Sequence, residues 1–295
     1  MSTAHSFTTR DNVSLTYYLW RKGGAPRPLL VLLHGLGSNH TRWREFVEHT
    51  SLADHWDILA PDLRGHSESM VRGRFTVNTW AQDLAEMLAH EGYREAVVVG
   101  HSLGAHAALF FAKRYPGAVR GLVLIDPLSQ ESFTFVMRWV WRLRFISVAL
   151  IAMIRFLNRL GIRRRHIPLR DLGVLDQDAR ALIAAGKEAE MVKYYGSIWP
   201  DLKHNACANY YQSTLEVLRP LPADVNDDVP VLLLLSAGSS YNKRDTEHTL
   251  IKQFTDCTIE SVECNHWLLT EKPEEAYRLI EGWLGEEFGG KLFLP

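Results

Sequence analysis

Gly100-His101-Ser102-Leu103-Gly104 follows a short apolar run and precedes a stretch of helical composition. This is G-x-S-x-G in the setting that gives it chemical meaning. Glycines on either side of the serine permit a sharp, strained turn from strand to helix that holds Oγ out at the strand's C-terminal end. The helix that follows points its first N–H groups and its positive dipole end at the same spot. A serine hydroxyl is a weak nucleophile at neutral pH, so it needs a base, and the base needs an orienting partner. Among the thirteen histidines His266 fits that role best, because Asn265-His266-Trp267 lies between the last strand-like run and a C-terminal helical pattern. His34 and His66 lie in loops at the same edge and read as structural donors, whereas His101 should turn its ring away from Ser102.

The elements that must hold these residues are legible as periodicity. Residues 28–33 (PLLVLL), 56–60 (WDILA), 95–99 (EAVVV) and 121–125 (GLVLI) are compact apolar runs of the kind that form strands buried on both faces. Residues 78–91 carry Trp80, Leu84, Met87 and Leu88 at helical spacing, and residues 105–115 form a second helical segment. Strand alternating with helix predicts an α/β protein with a mostly parallel sheet flanked by helices, and residues 7–20 add an antiparallel hairpin turning at Asp11-Asn12. From Glu131 to Pro222 helical patterns replace the alternation, which returns at 229–235 and 258–262 and ends in a helix from Pro273 to Leu284. The expected organisation is a core in two parts, 1–130 and 223–295, with a helical cap at 131–222 inserted after the sixth strand.

With these motifs in place, the chain resembles an α/β-hydrolase of the single-cap, esterase or lipase-like type. The resemblance rests on His34-Gly35-Leu36-Gly37, on Asp62-Leu63-Arg64-Gly65-His66-Ser67, on the turn around Ser102 and on His266. It implies that Ser102 is the nucleophile, and that the backbone N–H groups of Leu36 and Leu103 form the oxyanion hole that steadies a tetrahedral intermediate. Most family members carry the triad acid in the loop after the seventh strand, where this chain has Ser236-Ala237-Gly238-Ser239-Ser240 and no carboxylate. Asp126, at the end of the sixth strand, stands where pancreatic-lipase-like enzymes, haloalkane dehalogenases and cofactor-free quinolone dioxygenases keep theirs. It is therefore the first candidate, ahead of Asp245 and Glu263.

The implied activity is hydrolysis of a carboxylic ester with a hydrophobic acyl group. A cofactor-free dioxygenation or C–C cleavage of an aromatic, quinolone-like substrate is the alternative, and a silent ligand-binding protein a more distant one. Dehalogenase and epoxide hydrolase relatives need an aspartate nucleophile where this chain has Ser102. Neither a phosphate loop nor a metal-ligand spacing is present, so the expected cofactor and metal content is none. Trp43 and Trp267 are the candidate substrate-binding aromatics, with packing in the core the other reading of each, and Tyr194-Tyr195 and Tyr210-Tyr211 can either wall the cleft or pack helices.

Hydrophobic residues at 46% and charged residues at 23% fit a folded globular chain. Three cysteines match neither a disulfide framework nor a zinc site, and MSTAHSFTTRDNVS lacks the apolar core of a signal peptide, so a cytoplasmic protein is expected. The net charge of −1 conceals nine arginines between Ser132 and Arg170 in a segment without Asp, Glu or Lys. On a helical projection Trp139, Leu143, Ile146, Leu150, Met153, Ile154 and Leu157 share one side, and Arg138, Arg142, Arg144, Arg155 and Arg159 the other. Three readings follow: a lid with its apolar side on the cleft and its arginines in water, contact with an anionic membrane surface, or an anion site that includes Arg163-Arg164-Arg165. Interleaved aliphatics argue against nucleic acid. The longest uncharged run of this segment, Phe145 to Ile154, is too short to cross a bilayer. The sequence leaves the oligomeric state open.

Overall fold

The computed structural model describes residues 3–23, 27–225, 228–238 and 252–289. Strands β1 (Thr3–Thr8) and β2 (Ser14–Trp20) are the arms of the hairpin, with Asn12 in the left-handed region at its turn. They are followed by β3 (Leu29–Leu33), β4 (Asp57–Pro61), β5 (Ala96–His101), β6 (Val119–Ile125), β7 (Val231–Ser236) and β8 (Cys257–Val262). One eight-stranded sheet results, in the order β1-β2-β4-β3-β5-β6-β7-β8. The pairs β1/β2 and β2/β4 are antiparallel; every pair from β4 to β8 is parallel. This is the mostly parallel α/β sheet expected from the alternation of apolar runs and helical segments.

The helices are α1 (Arg44–His49), α2 (Val77–His90), α3 (Leu103–Arg114), α4 (Phe135–Arg142), α5 (Arg144–Arg159), α6 (Leu172–Ala184), α7 (Glu188–Tyr195), α8 (Ile198–His204), α9 (Cys207–Val217), α10 (Leu268–Glu271) and α11 (Pro273–Phe288). Alternate strand residues serve opposite faces of the sheet. Val31, Leu33, Val98, Leu122 and Leu124 pack with Trp80, Leu84 and Met87 of α2 and with the alanines of α3. Leu30, Leu32, Val97, Val99 and Val123 pack with Phe46 of α1 and with Tyr277, Ile280 and Trp283 of α11. With both faces covered, the inner strands can be apolar along their whole length. The chain steps from β3 to one neighbour, β4, and then back to the other, β5. The C-terminal ends of the strands at such a reversal border a crevice, and Ser102 directly follows β5.

Between Ile125 and Val231 the described residues contain helices and no strand. Ile151 of α5 packs on Ala208 and Leu215 of α9, with Val140, Ile154 and Tyr211 beside them. The orientation of α4 and α5 differs from the lid reading of this segment. Trp139, Leu143, Ile146, Leu150 and Met153 are 38–53% exposed, while Arg155 is 7% exposed. The helices turn inward only a narrow strip: Met137, Val140 and Trp141 pack on the main core, and Ile151 and Ile154 pack beside Ala208, Leu215 and Tyr211 of α9. Most of the apolar side faces solvent.

Candidate active site

Ser102 has φ 53° and ψ −111°, a backbone state that a β-carbon-bearing residue adopts only when its surroundings enforce it. Two close approaches supply the enforcement. A β-carbon on Gly100 would sit 2.4 Å from the Gly104 carbonyl, and one on Gly104 would sit 2.3 Å from the Leu33 carbonyl oxygen. The chain can thus turn tightly from β5 into α3, and the Ser102 N–H donates to Ile125 O at 2.8 Å, tying the bend to β6.

Three side chains separated by up to 164 positions meet at this bend. His266 Nε2 lies 3.1 Å from Ser102 Oγ, and His266 Nδ1 lies 3.0 Å from Asp126 Oδ2. Asp126 is 1% exposed and, like Ser102, has a positive φ, 46°. Its carboxylate is held from β7: the Ser236 N–H donates to Oδ1 at 2.8 Å and the Ser236 hydroxyl donates to Oδ2. The seventh strand therefore offers donors to a carboxylate carried by the sixth. Asp245 and Ser239 lie outside the described residues, and Glu263 is exposed while the imidazole is bonded to Asp126.

The loop carrying His266 is fixed on both sides by Glu271, which accepts from the N–H of Asn265 at 3.0 Å and of Trp267 at 3.3 Å. His101 adds a third tether: its ring is directed from the opposite side of the strand, and its Nε2 lies 3.1 Å from His266 O. Burial pushes His101 down to about 3, so the ring is neutral and can donate that bond through a single N–H. His34 is likewise neutral, pushed down to about 4 by burial; its Nδ1–H donates to Gly35 O at 2.8 Å and its Nε2 accepts from Leu63 N–H at 3.1 Å. It holds the Gly35-Leu36 turn against the loop after β4. Leu36 lines the cavity, and Leu103 is the first residue of α3, where an N–H has no intrahelical acceptor.

A cavity of about 320 Å³ opens above Ser102. Leu36, Leu128, Met137, Leu172, Val217 and Trp267 give it apolar walls, and Tyr195, Tyr210 and Tyr211 come in from the inserted helices. Trp267 lines the cavity, as expected, with its ring tilted against Tyr195 at 5.3 Å between centroids. Trp43 does not. It is fully buried beneath the sheet, edge-on to Phe46 on the α1 side, because its turn docks on the core rather than on the crevice. Tyr194 is 42% exposed and does not line the cavity.

Asp176 is 3% exposed and pairs with Arg42 at 2.6 Å. Tyr195 OH and Thr270 Oγ1 also donate to it, so a paired and hydrogen-bonded buried charge joins α6 to the core. Arg170 pairs with Asp201 beside Gly37 and links the inserted helices to the Leu36 loop. Among the described residues, one group has metal-ligand chemistry: His40, Asp62 and Glu68. Each already has a partner in this loop, His40 Nδ1 at 2.9 Å from Asp62 Oδ1 and Glu68 accepting from Tyr18 OH at 2.8 Å.

Comparison with known proteins agrees with this architecture. Epoxide hydrolase 3 from Xenopus tropicalis is 25% identical over 308 residues, spanning 96% of this chain and 78% of that protein. The magnesium-chelatase 30 kDa subunit of Rhodobacter capsulatus is 38% identical over 172 residues, 56% of each chain. The crystal structure of a hydrolase from Pseudomonas aeruginosa PA01 superposes with a TM-score of 0.68 at 18% identity, covering 96% of this chain and 98% of that one, which is a likeness of fold. The family model described as alpha/beta hydrolase fold matches residues 28–273, and the chain belongs to that family of hydrolases.

Proposed function

We propose that the protein is a serine hydrolase that cleaves a carboxylic ester with a hydrophobic acyl group. The observation that carries this reading is the unbroken chain from Asp126 through His266 to Ser102 Oγ, at 3.0 and 3.1 Å, opening into an apolar-walled cavity. His266 takes the proton of Ser102 as Oγ attacks the ester carbonyl, and Asp126 keeps Nδ1 protonated so that Nε2 is the accepting nitrogen. The N–H groups of Leu36 and Leu103 receive the negative charge on the tetrahedral intermediate. His266 then protonates the departing alcohol, and water, activated by the same imidazole, releases the acyl group from Ser102.

Epoxide opening, which the name of one relative raises, is disfavoured by the nucleophile. A carboxylate attacking an epoxide gives an ester that water can cleave, whereas Ser102 would give an ether, which would end the cycle after one turnover. Tyr195 and Tyr210 from the inserted helices and Trp267 from the His266 loop narrow the cavity, which suits an apolar acyl chain.

The test is turnover of p-nitrophenyl esters of increasing acyl length by the full chain and by Ser102→Ala. The expected result is measurable hydrolysis that falls by a factor of about 10³ or more in the variant. Absence of turnover across the series, or a rate unchanged in Ser102→Ala, would overturn the reading.

A further inference from the structure

The inserted helices carry a surface that the chemistry of the active site does not use. At 100° per residue, Phe145, Phe156, Ala149, Met153, Ile146, Leu157 and Leu150 of α5 occupy a continuous arc of about 140° with no polar member. All except Leu157 are exposed, Phe145 by 66%, Ile146 by 53% and Met153 by 52%. The outer side of α4 continues the surface with Phe135 at 76%, Val136 at 67% and Trp139 at 46%, and Leu160 and Ile162 extend it past the end of α5 at 62% and 64%. A contiguous apolar surface of this kind is one that a folded protein covers with something.

The charges around it say what. Nine arginines and no acidic residue lie between Ser132 and Arg170. Among the described residues Arg170 alone of the nine pairs with a carboxylate. Arg142 and Arg144 lie 5.7 and 4.9 Å from the rings of Trp139 and Trp141, the arrangement of cations set beside interfacial aromatics. Arg155, on the inner side of α5, bonds Gln212 at 3.0 Å through one amino group, while Nε and Nη2 lack a partner among the described residues. A second copy of this chain placed on the face would set arginine against arginine, and a nucleic acid would leave the aromatic and aliphatic arc unused. No described helix is long and apolar enough to cross a membrane, so the arc is suited to lying on one.

We propose that α4 and α5 dock the protein on a lipid bilayer rich in anionic headgroups. The apolar arc enters the boundary between headgroups and acyl chains, and the arginines lie at the level of the phosphates. Met137, on the inward side of α4, is also a wall of the cavity, so docking brings the cavity beside the lipid phase. The docking itself does not depend on ester hydrolysis by Ser102.

Vesicle flotation with the full chain carrying Ser102→Ala separates the two questions. The expected result is flotation with phosphatidylcholine vesicles containing phosphatidylglycerol, little flotation with phosphatidylcholine alone, and loss of binding as salt rises. A triple variant, Phe145→Glu, Ile146→Glu and Met153→Glu, should bind at least tenfold less while keeping its unfolding midpoint. Arg142→Gln, Arg144→Gln and Arg159→Gln should each lower binding to the anionic vesicles about fivefold and leave neutral vesicles unaffected. Failure to float with either vesicle, equal flotation with both, or undiminished flotation of the triple variant would overturn the proposal. So would sedimentation showing a dimer that the triple variant abolishes without any vesicle binding, which would assign the face to a second copy.

Discussion

The sheet and the α4–α5 pair are both rich in apolar residues, yet they treat them in opposite ways. In β3, β5 and β6 the strand leucines and valines are almost entirely buried, whereas Phe135, Phe145 and Ile146 stand more than half exposed. The sheet has a helix layer on each face; α4 and α5 have α9 on one side and nothing described on the other. The contrast separates two tasks. Positions that must hold a 3 Å geometry are fixed by full burial and by backbone bends that only a packed core can sustain. Positions that meet something outside the fold can be left uncovered.

This division predicts that damage to chemistry, stability and docking should separate by region. The largest effect belongs to the core. Asp126→Asn leaves the shape of the site intact but favours the wrong imidazole tautomer, and kcat for a soluble ester should fall about 10⁴-fold. Steady-state kinetics checks this, and a loss of less than tenfold would move the acid elsewhere.

Next in size is Trp43→Ala, which empties a fully buried position below the sheet and should cost about 3–5 kcal/mol in urea unfolding with KM unchanged. Trp267→Ala, at the cavity wall, should instead raise KM several-fold at little cost in stability. The opposite pattern would reverse the assignment of the two tryptophans.

The buried imidazoles give a pH signature of the core. Burial lowers His34 and His106 to about 4 and His66 and His101 to about 3. Below pH 6.5 the unfolded chain binds protons that these rings refuse, so stability is greatest above 6.5 and declines as pH falls toward 4. The slope is up to about 1.4 kcal/mol per pH unit for each ring. Urea midpoints between pH 7 and 5 measure it, and a flat profile would contradict the neutral buried rings. The smallest effect is expected in the inserted helices, where Phe145→Ser should change the unfolding free energy by no more than about 0.5 kcal/mol.

The sequence carried the parts of the fold that depend on local pattern. Apolar runs gave the strands to within a residue or two, and Gly100 and Gly104 around Ser102 marked the bend because their role is steric and close in the chain. What stayed hidden depends on partners distant in sequence. Ser236 gave no sign that it would hold Asp126, since a serine ending a strand has many uses; Glu271 gripping the His266 loop is equally silent. The Arg42–Asp176 pair is silent in the same way, its partners being 134 positions apart. Periodicity in α4 and α5 identified an apolar side and a basic side, but periodicity cannot say which side meets the protein. That choice rests on the contacts of Ile151 and Ile154 with α9, whose partners lie more than fifty positions away. Of the two readings of Trp43, pocket wall or core, the structure takes the core, where its ring meets Phe46.

The central claim is that Ser102 is the residue that forms the covalent intermediate, activated by His266. Its most direct test is peptide mapping by mass spectrometry after reaction with a fluorophosphonate. The account predicts one adduct, on the peptide containing Ser102, formed far more slowly in His266→Ala. An adduct on another residue, or labelling of Ser102 at an unchanged rate without His266, would contradict it.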